Sequence, residues 1–333
     1  MPRILRLHDF SGPTGLRLDK LPSAQPGPGE ARLKVLACSV TIDQLAYLEG
    51  KGYGEAGRPA LPARFGYGAT GVVDAIGENV DPSWLGKSVA PIGPFDQARY
   101  GCAGEEAIVP ADTLVELPAN LSPEQGAALW IPYLTAYALV LLGQVRAGDH
   151  VVLPGGSSTV GLAAIQICRA VGALPIAVTR SEQKVAALLA AGAQAVVHTG
   201  TQDYVTQLDR LTDGAGARIT FDPVGGSFLT AAAAASAPGG IIIEYGVLGG
   251  LDGRFPAEQV IGKGLTIRGW TVGELVADPV ACRQAIDHVL QRVATGNYLP
   301  TVAAVFPLAD VVAACHYVQA GTGLGRTVLL PEN

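Results

Sequence analysis

A loop rich in glycine and hydroxyl residues is the segment of the sequence best suited to chemistry. It follows the apolar run HVVLP at 150–154 and reads Gly155-Gly156-Ser157-Ser158-Thr159-Val160-Gly161. Gly156 and Gly161 fill the first and third glycine places of the G-x-G-x-x-G dinucleotide fingerprint, and Ser158 fills the middle one. Small residues let the backbone approach a pyrophosphate at a helix N-terminus, and the three hydroxyls add donors. The pattern predicts a dinucleotide site, with an ordinary glycine turn as the alternative.

The end of the next apolar run indicates which dinucleotide is bound. An NAD site has Asp or Glu there, about 20 residues beyond the glycine loop, to hold the ribose 2′-hydroxyl. This chain has Thr179-Arg180-Ser181 at that place, and Lys184 follows one turn later. An arginine fork with a nearby lysine suits a 2′-phosphate; the alternative is that both are solvated residues at the start of a helix. The sequence therefore favours NADPH over NADH.

Two kinds of secondary-structure pattern must position these residues. From HVVLP to LTIRGW (265–270), near-continuous apolar runs alternate with helical patterns, which is typical of a parallel sheet covered on both faces. We therefore predict an α/β chain with a Rossmann domain, a doubly wound parallel sheet, over 126–269. Residues 1–125 indicate short strands punctuated by Gly, Pro and Asn, as in a barrel-like antiparallel domain. We expect the helical stretch and final strand of 270–333 to return to that first domain.

Composition excludes several classes of protein. The 333 residues are 49% hydrophobic and 16% charged, with a net charge of -6. These values exclude a disordered chain and a nucleic-acid binder that works through a broad basic face. The five cysteines lie far apart, with no C-x-x-C pair, which argues against a structural zinc cluster and a disulfide framework. A reducing cytoplasm is the compartment we predict.

Two segments bear on targeting and membranes. The first ten residues, MPRILRLHDF, lack the apolar core of a signal peptide. Residues 126–145 carry no charge and are long enough to cross a bilayer. Pro132, two tyrosines and the absence of a flanking Lys/Arg bias favour a buried helix instead. We therefore predict that the protein has no membrane partner.

An ordered series of motifs runs along nearly the whole chain: ENVDPSWLGKSVAPIG, VPADTLVELPANLSPEQGAAL, YLTAY (133–137), SSTVGLAAIQICRAVGA, FDPVGG (221–226), APGG (237–240) and EYG (244–246). This series resembles the medium-chain dehydrogenase/reductase superfamily, in its zinc-independent quinone oxidoreductase (zeta-crystallin-like) branch. The resemblance implies a GroES-like catalytic domain, a Rossmann domain, an NADPH cofactor and a homodimer. It also implies that Thr135, Tyr245 and Gly246 contact the cofactor. For Arg326, a phosphate contact and a surface ion pair are the two alternatives.

The resemblance also locates the places where zinc alcohol dehydrogenases of the superfamily hold their metal. The first cysteine ligand corresponds to Thr41, the histidine of a G-H-E motif to Tyr67, and the second cysteine ligand to Ile131. None of these is a zinc ligand of the usual kind. We therefore predict that the protein has no catalytic zinc.

Without zinc, hydride donation to an electron-poor acceptor is easier than alcohol oxidation, because an alcohol needs a Lewis acid to become an alkoxide. Quinones and α,β-unsaturated carbonyls fit, and the anion they form needs a donor and then a proton. The candidates are Tyr67, Tyr53, which matches a tyrosine beside the substrate in that branch, and Thr41. Asp43 is one residue away from an aspartate usual there. The alternatives are a zinc-free alcohol or carbonyl oxidoreductase and an NADPH-binding protein without turnover.

Overall fold

The computed structural model describes residues 1–51, 58–93 and 95–331. Its strands are β1 (Arg3–Leu7), β2 (Leu16–Lys20), β3 (Glu30–Val40), β4 (Ala63–Arg64), β5 (Ala69–Ile76), β6 (Ser88–Pro91), β7 (Glu106–Pro110), β8 (Leu114–Glu116), β9 (His150–Pro154), β10 (Leu174–Thr179), β11 (Ala195–His198), β12 (Ala217–Asp222), β13 (Ser236–Glu244), β14 (Thr266–Gly269), β15 (Val302–Pro307) and β16 (Arg326–Leu330). Its helices are α1 (Ile42–Leu48), α2 (Gln97–Tyr100), α3 (Pro123–Ala127), α4 (Trp130–Ala136), α5 (Ala138–Leu141), α6 (Thr159–Val171), α7 (Val185–Ala190), α8 (Tyr204–Leu211), α9 (Phe228–Ala235), α10 (Ala257–Lys263), α11 (Val272–Val276), α12 (Pro279–Ala294) and α13 (Val311–Ala320).

The first of two units comprises Met1–Ile131 and Leu299–Asn333. A seven-stranded sheet runs in the order β15-β16-β3-β5-β6-β8, with β7 also paired to β3. Strand β3 alternates buried and less buried residues, so one face packs on a core that includes Leu33, Val35 and Phe65. Strand β16 is antiparallel to β3, with Thr327 opposite Val40. The C-terminal segment therefore completes the sheet that carries Thr41.

The second unit, Pro132–Tyr298, holds a six-stranded sheet in the order β11-β10-β9-β12-β13-β14. All its pairings are parallel. Numbered along this unit, the order is 3-2-1-4-5-6, the doubly wound arrangement of Rossmann domains. Strand order reverses between β9 and β12, and ligands of such sheets bind at the carboxyl ends of the strands near that reversal. The predicted fold class, a GroES-like domain with a Rossmann domain, is confirmed.

The sequence predicts domain boundaries at 125/126 and 269/270, whereas the two units divide at 131/132 and 298/299. The helices between 270 and 298 belong to the second unit rather than returning to the first. Interactions within that unit explain this: Trp270 donates from its indole to the Thr135 carbonyl at 2.9 Å. The rings of Tyr298 and Tyr133 lie 5.1 Å apart, and the α12 side chain of His288 bonds Tyr298. Only residues from Leu299 onward rejoin the first unit.

The uncharged segment 126–145 is not the single buried helix that its composition suggests. It contains the end of α3, then α4 and then α5, each of seven residues or fewer. Pro132 lies in the first turn of α4, where its missing N–H costs no helical hydrogen bond. No helix among the described residues is long and apolar enough to cross a membrane.

Candidate cofactor loop and phenol cluster

The glycine loop joins β9 to α6 at the carboxyl edge of the parallel sheet. Ser158 is the N-cap of α6, and its Oγ accepts from the backbone N–H of Gly161 at 3.0 Å. The backbone N–H groups of Thr159 and Val160 belong to the first helical turn, which has no intrahelical acceptors. Residues Ser157–Val160 are all half-buried. This arrangement leaves amide donors and hydroxyls at the positive end of a 13-residue helix, which suits an anionic group.

Close packing explains why glycine occupies two places of the loop. A Cβ on Gly161 would lie 2.6 Å from the Gly156 carbonyl oxygen, and one on Gly156 would lie 2.8 Å from the Ala177 Cβ. Both distances are too short for a real side chain, so any larger residue would push α6 away from β9 and β10. Ser158 has no such constraint and serves as the cap. The middle place of the fingerprint therefore tolerates serine, whereas the outer two do not.

At the end of β10, the residues predicted to select the dinucleotide lie near the loop. Thr179 is buried, and its Oγ1 accepts from the Ser181 N–H at 3.1 Å. Arg180 is exposed. Lys184 donates from its Nζ to the Ser157 Oγ at 3.3 Å, and burial lowers the pKa of its ammonium group. The structure thus brings Lys184 to the glycine loop and leaves Arg180 facing solvent one residue after the strand.

A carboxyl pair at the ends of β12 and β13 was not anticipated from the sequence. Asp222 is fully buried and accepts from the N–H groups of Val224 at 2.7 Å and Gly225 at 3.3 Å. Glu244 lies beside Asp222, and burial together with the Asp222 charge raises the pKa of Glu244 to about 8. Burial also raises the pKa of Asp222. Glu244 is therefore the protonated member of the pair at neutral pH.

The three residues that the resemblance assigned to cofactor contact have different surroundings. Thr135 is buried, and its carbonyl accepts from Trp270. The Tyr245 ring stacks on Phe221, with centroids 4.0 Å apart, and burial raises the pKa of its hydroxyl. A Cβ on Gly246 would lie 2.8 Å from the Pro223 carbonyl oxygen, so this position requires glycine. Tyr245 and Gly246 follow β13 directly, at the same sheet edge as the glycine loop.

In the first unit, Tyr67 is the centre of a hydrogen-bonded cluster, which we call the phenol cluster, of Thr41, Asp43 and Tyr67. The Tyr67 hydroxyl donates to the Asp43 carboxylate in a short hydrogen bond, and it lies 3.1 Å from the Thr41 Oγ1. The Gln44 side chain accepts from the Thr41 backbone N–H at 3.0 Å, which fixes Thr41 at the start of α1. Because Tyr67 has one proton and directs it to Asp43, Thr41 is the donor in the second bond.

The electrostatics of the cluster keep the phenol protonated. Burial raises the pKa of Tyr67 well above its usual value, and the adjacent Asp43 charge raises it further. The Thr41 hydrogen bond and the Arg326 charge act in the opposite direction. Tyr67 is therefore a neutral donor whose proton is held in place by a carboxylate.

The places that correspond to zinc ligands come together, but their side chains do not suit zinc. Tyr67 and Ile131 line one small cavity, and Thr41 is bonded to Tyr67. A hydroxyl, a phenol and an alkyl group replace the thiolates and imidazole that zinc prefers. Cys38 and Cys102 are buried, and burial raises the pKa of each thiol to about 12. Within the described part of the chain, no group of three or more His, Cys, Asp or Glu could hold a metal ion.

Sequence reasoning did not find the whole cluster. The sequence showed only that Asp43 lies one residue away from the aspartate usual in the branch. In the structure it is the direct hydrogen-bond partner of Tyr67. Arg326 is 5% exposed, so the surface ion pair considered for it is wrong. Tyr53, the second phenol proposed from the sequence, lies outside the described residues.

Comparisons with known proteins place the chain in a family. Residues 27–119 match the model described as alcohol dehydrogenase GroES-like domain, and residues 159–292 match the one described as zinc-binding dehydrogenase. The chain belongs to the medium-chain dehydrogenase/reductase superfamily, in its quinone oxidoreductase-like branch. This is a family of oxidoreductases. The zinc named in one description does not fit the residues at the corresponding ligand places.

Individual relatives cover almost the whole chain at low identity. Human quinone oxidoreductase (Homo sapiens) is 28% identical, covering 98% of this chain and 97% of that protein. The synaptic vesicle membrane protein VAT-1 homolog of Rattus norvegicus is 28% identical, over 99% of this chain and 84% of that protein. A solved NAD-dependent alcohol dehydrogenase superposes with a TM-score of 0.89 at 28% identity, covering 98% of this chain and 99% of that chain.

Proposed function

We propose that the protein is an NADPH-dependent, zinc-independent reductase that transfers hydride to quinones or α,β-unsaturated carbonyl compounds. The observation that carries this proposal is the phenol cluster. It puts a neutral, hydrogen-bonded phenol at the place where zinc enzymes of the superfamily have a metal-ligating histidine. The similarity to human quinone oxidoreductase supports the same reaction class.

The residues of the second unit suit NADPH. The backbone between Gly156 and Gly161, with the hydroxyls of Ser157, Ser158 and Thr159, would hold the pyrophosphate at the start of α6. Thr179, Arg180 and Lys184 would hold the 2′-phosphate, which pairs well with a planar guanidinium. Val160, Thr135, Tyr245 and Gly246 complete the set that we assign to the cofactor. When bound, NADPH supplies the hydride.

The phenol cluster meets the need that a conjugated acceptor creates. Hydride addition to such an acceptor leaves negative charge on an oxygen, which requires a donor and then a proton. The Tyr67 hydroxyl, held between Thr41 and Asp43, provides that donor if it turns from Asp43 to the acceptor oxygen. Thr41 holds the phenolic oxygen in position during this turn, and Tyr53 is the second candidate donor. Alcohol oxidation would lack the Lewis acid it needs.

The similarity to an NAD-dependent alcohol dehydrogenase favours a second candidate, a carbonyl or alcohol oxidoreductase that uses tyrosine in place of zinc. A third is a protein that binds NADPH without turnover. One steady-state screen separates the three: NADPH oxidation measured against quinones, enones, aldehydes and ketones. We expect turnover with quinones or enones only. Turnover with unconjugated ketones or aldehydes supports the second candidate, and tight NADPH binding with no oxidation by any acceptor supports the third.

We further propose a homodimer in a reducing compartment such as the cytoplasm. Strand β14 is an edge of the six-stranded sheet, and nearby Leu251, Phe255 and Ile261 are apolar and more than 60% exposed. Pairing of this edge with the same edge of a second copy would cover both the unpaired strand and these apolar side chains. All five cysteines are free, which suits a reducing compartment. Light scattering of the purified protein tests the dimer, and a monomeric mass at micromolar concentration would contradict it.

A further inference from the structure

Arg326 is a buried cation, and the nearby Asp43 charge acts on it without forming a direct ion pair. It is the first residue of β16, and its backbone N–H donates to the Thr301 carbonyl at 2.8 Å. The side chain is 5% exposed, and its Nε has no hydrogen-bond partner. Among the residues that the structure describes, none forms an ion pair with its guanidinium within 4.0 Å. Burial lowers its pKa, but an arginine remains charged at neutral pH.

A second unpartnered donor belongs to Trp130, which lines the small cavity described above for Tyr67 and Ile131. Trp130 is 4% exposed, and its indole N–H also has no hydrogen-bond partner. Trp130 and Arg326 line the cavity together with Ser39, Tyr67, Pro91 and Ile131. The cavity has room for roughly one water molecule. Two buried residues with unpartnered donors, one of them cationic, thus line a space that is large enough for a single oxygen-sized group.

The charge on Arg326 is expensive for the folded protein unless an anion compensates it. An unpaired buried charge loses its hydration without regaining an equivalent interaction. Asp43 supplies part of this compensation, because its charge raises the pKa of Arg326, but its carboxylate accepts from the Tyr67 hydroxyl and forms no direct ion pair with the guanidinium. A ligand that is already anionic in its ground state would supply a direct partner. A neutral carbonyl oxygen would not.

We infer that Arg326, assisted by the Trp130 N–H, binds the carboxylate of an acceptor that carries both a conjugated carbonyl and a carboxylate. This deepens the proposed function, on which it rests, by naming an anionic substrate class. An arginine N–H can donate a charge-assisted hydrogen bond to a single oxygen of a carboxylate or a phosphate. The cavity favours the carboxylate, because a water-sized space admits one carboxylate oxygen and is too small for a tetrahedral phosphate.

The reaction with such an acceptor balances without a further reagent. With acetylacrylate, a C–H bond forms at the carbon β to the ketone, and the C=C π pair moves through the carbon skeleton to the ketone oxygen. A proton then adds at the α-carbon, giving the saturated keto acid, while NADPH is oxidised to NADP⁺. Arg326 holds the carboxylate, which is unchanged by the reaction. It therefore acts on substrate binding, and its loss raises KM more than it lowers kcat.

The test compares acetylacrylate with its neutral amide, acetylacrylamide, as acceptors for wild type, Arg326→Gln and Arg326→Lys. We expect Arg326→Gln to raise KM for the acid by about 10- to 100-fold, as for a lost charge-assisted hydrogen bond, with the amide nearly unaffected. Arg326→Lys keeps the charge and recovers part of the loss. Arg17→Gln removes one exposed positive charge from the same unit and is the matched control. Trp130→Phe gives a smaller effect in the same direction.

A binding measurement makes the inference independent of turnover. Sodium propanoate should raise the melting temperature of the wild type but not of Arg326→Gln, and propanamide should raise neither. Equal use of acid and amide by the wild type overturns the inference while leaving the proposed function intact. Failure of every conjugated acceptor overturns the proposed function instead.

One other occupant would be recognised by its own outcome. Weaker NADPH binding by Arg326→Gln, with an unchanged ratio of acid to amide, would assign Arg326 to a cofactor phosphate and overturn the inference.

Discussion

The glycine loop of the second unit and the phenol cluster of the first satisfy their polar groups in different ways. In the loop, the Ser158 cap and the close contacts of Gly156 and Gly161 leave helix-end amides and hydroxyls for a ligand. In the cluster, Tyr67 bonds both Thr41 and Asp43, while the Nε of neighbouring Arg326 has no hydrogen-bond partner. The loop is suited to hold an anion without moving. In the proposed reaction the Tyr67 proton changes partners, so substitutions in the cluster should alter turnover rather than cofactor affinity.

The largest effect should come from Tyr67→Phe. Removing one donor to a developing oxyanion typically costs about 10²- to 10³-fold in rate, so kcat with the best acceptor should fall by that factor. The Kd for NADPH should change little. Tyr47→Phe is the matched control, because the Tyr47 hydroxyl donates to the Arg64 carbonyl at 3.0 Å, outside the cluster. If Tyr67→Phe and Tyr53→Phe both retain wild-type kcat, neither phenol stabilises the anion.

Arg180→Ala tests the cofactor-binding region of the second unit, where we expect substitutions to alter affinity rather than turnover. Loss of a charge-assisted bond to the 2′-phosphate should weaken NADPH binding by ~1.5–3 kcal/mol, with NADH almost unaffected and kcat preserved. Titration of both cofactors by fluorescence measures this. Arg210→Ala, another exposed arginine of the second unit, is the control. Equal losses for the two cofactors, or a wild-type preference for NADH, would contradict the assignment.

A smaller effect should appear in the pH dependence of stability, through the carboxyl pair near the loop. The pKa of Glu244 is raised from 4.5 to about 8 in the folded protein, so the folded state binds more protons than the unfolded state between these values. Its stabilising contribution is therefore complete below about pH 4.5 and is lost as the pH rises towards 8. The free energy of unfolding should fall across this window by up to about 1.4 kcal/mol per pH unit.

Urea unfolding at several pH values would measure that slope, and Glu244→Gln should flatten it because an amide does not titrate. Glu274→Gln, which removes a more exposed carboxylate from the same unit, should leave the slope unchanged. An identical slope in wild type and Glu244→Gln would show that the pair does not share a proton as described.

The two regions also differ in how much of them the sequence reveals. The glycine loop is nearly local: a strand, seven residues and a helix carry the fingerprint, and the two glycines with close contacts stand at its first and third places. Asp43 and Arg326 could not be found in this way. Arg326 reaches the cluster because β16 pairs with β3, and no short-range pattern reports that pairing. The single helix expected over 126–145 was wrong for a related reason, since composition indicates burial but not that a new helix begins at Trp130, with Pro132 in its first turn.

The central proposal is that the protein is a reductase that works without zinc, since the resemblance puts the Tyr67 phenol at the place of a metal ligand. The most direct measurement combines elemental analysis of the purified protein with NADPH oxidation by a quinone before and after treatment with a chelator. The account predicts no stoichiometric zinc and unchanged kcat. About one zinc per chain, with activity lost to the chelator and restored by added zinc, would contradict it.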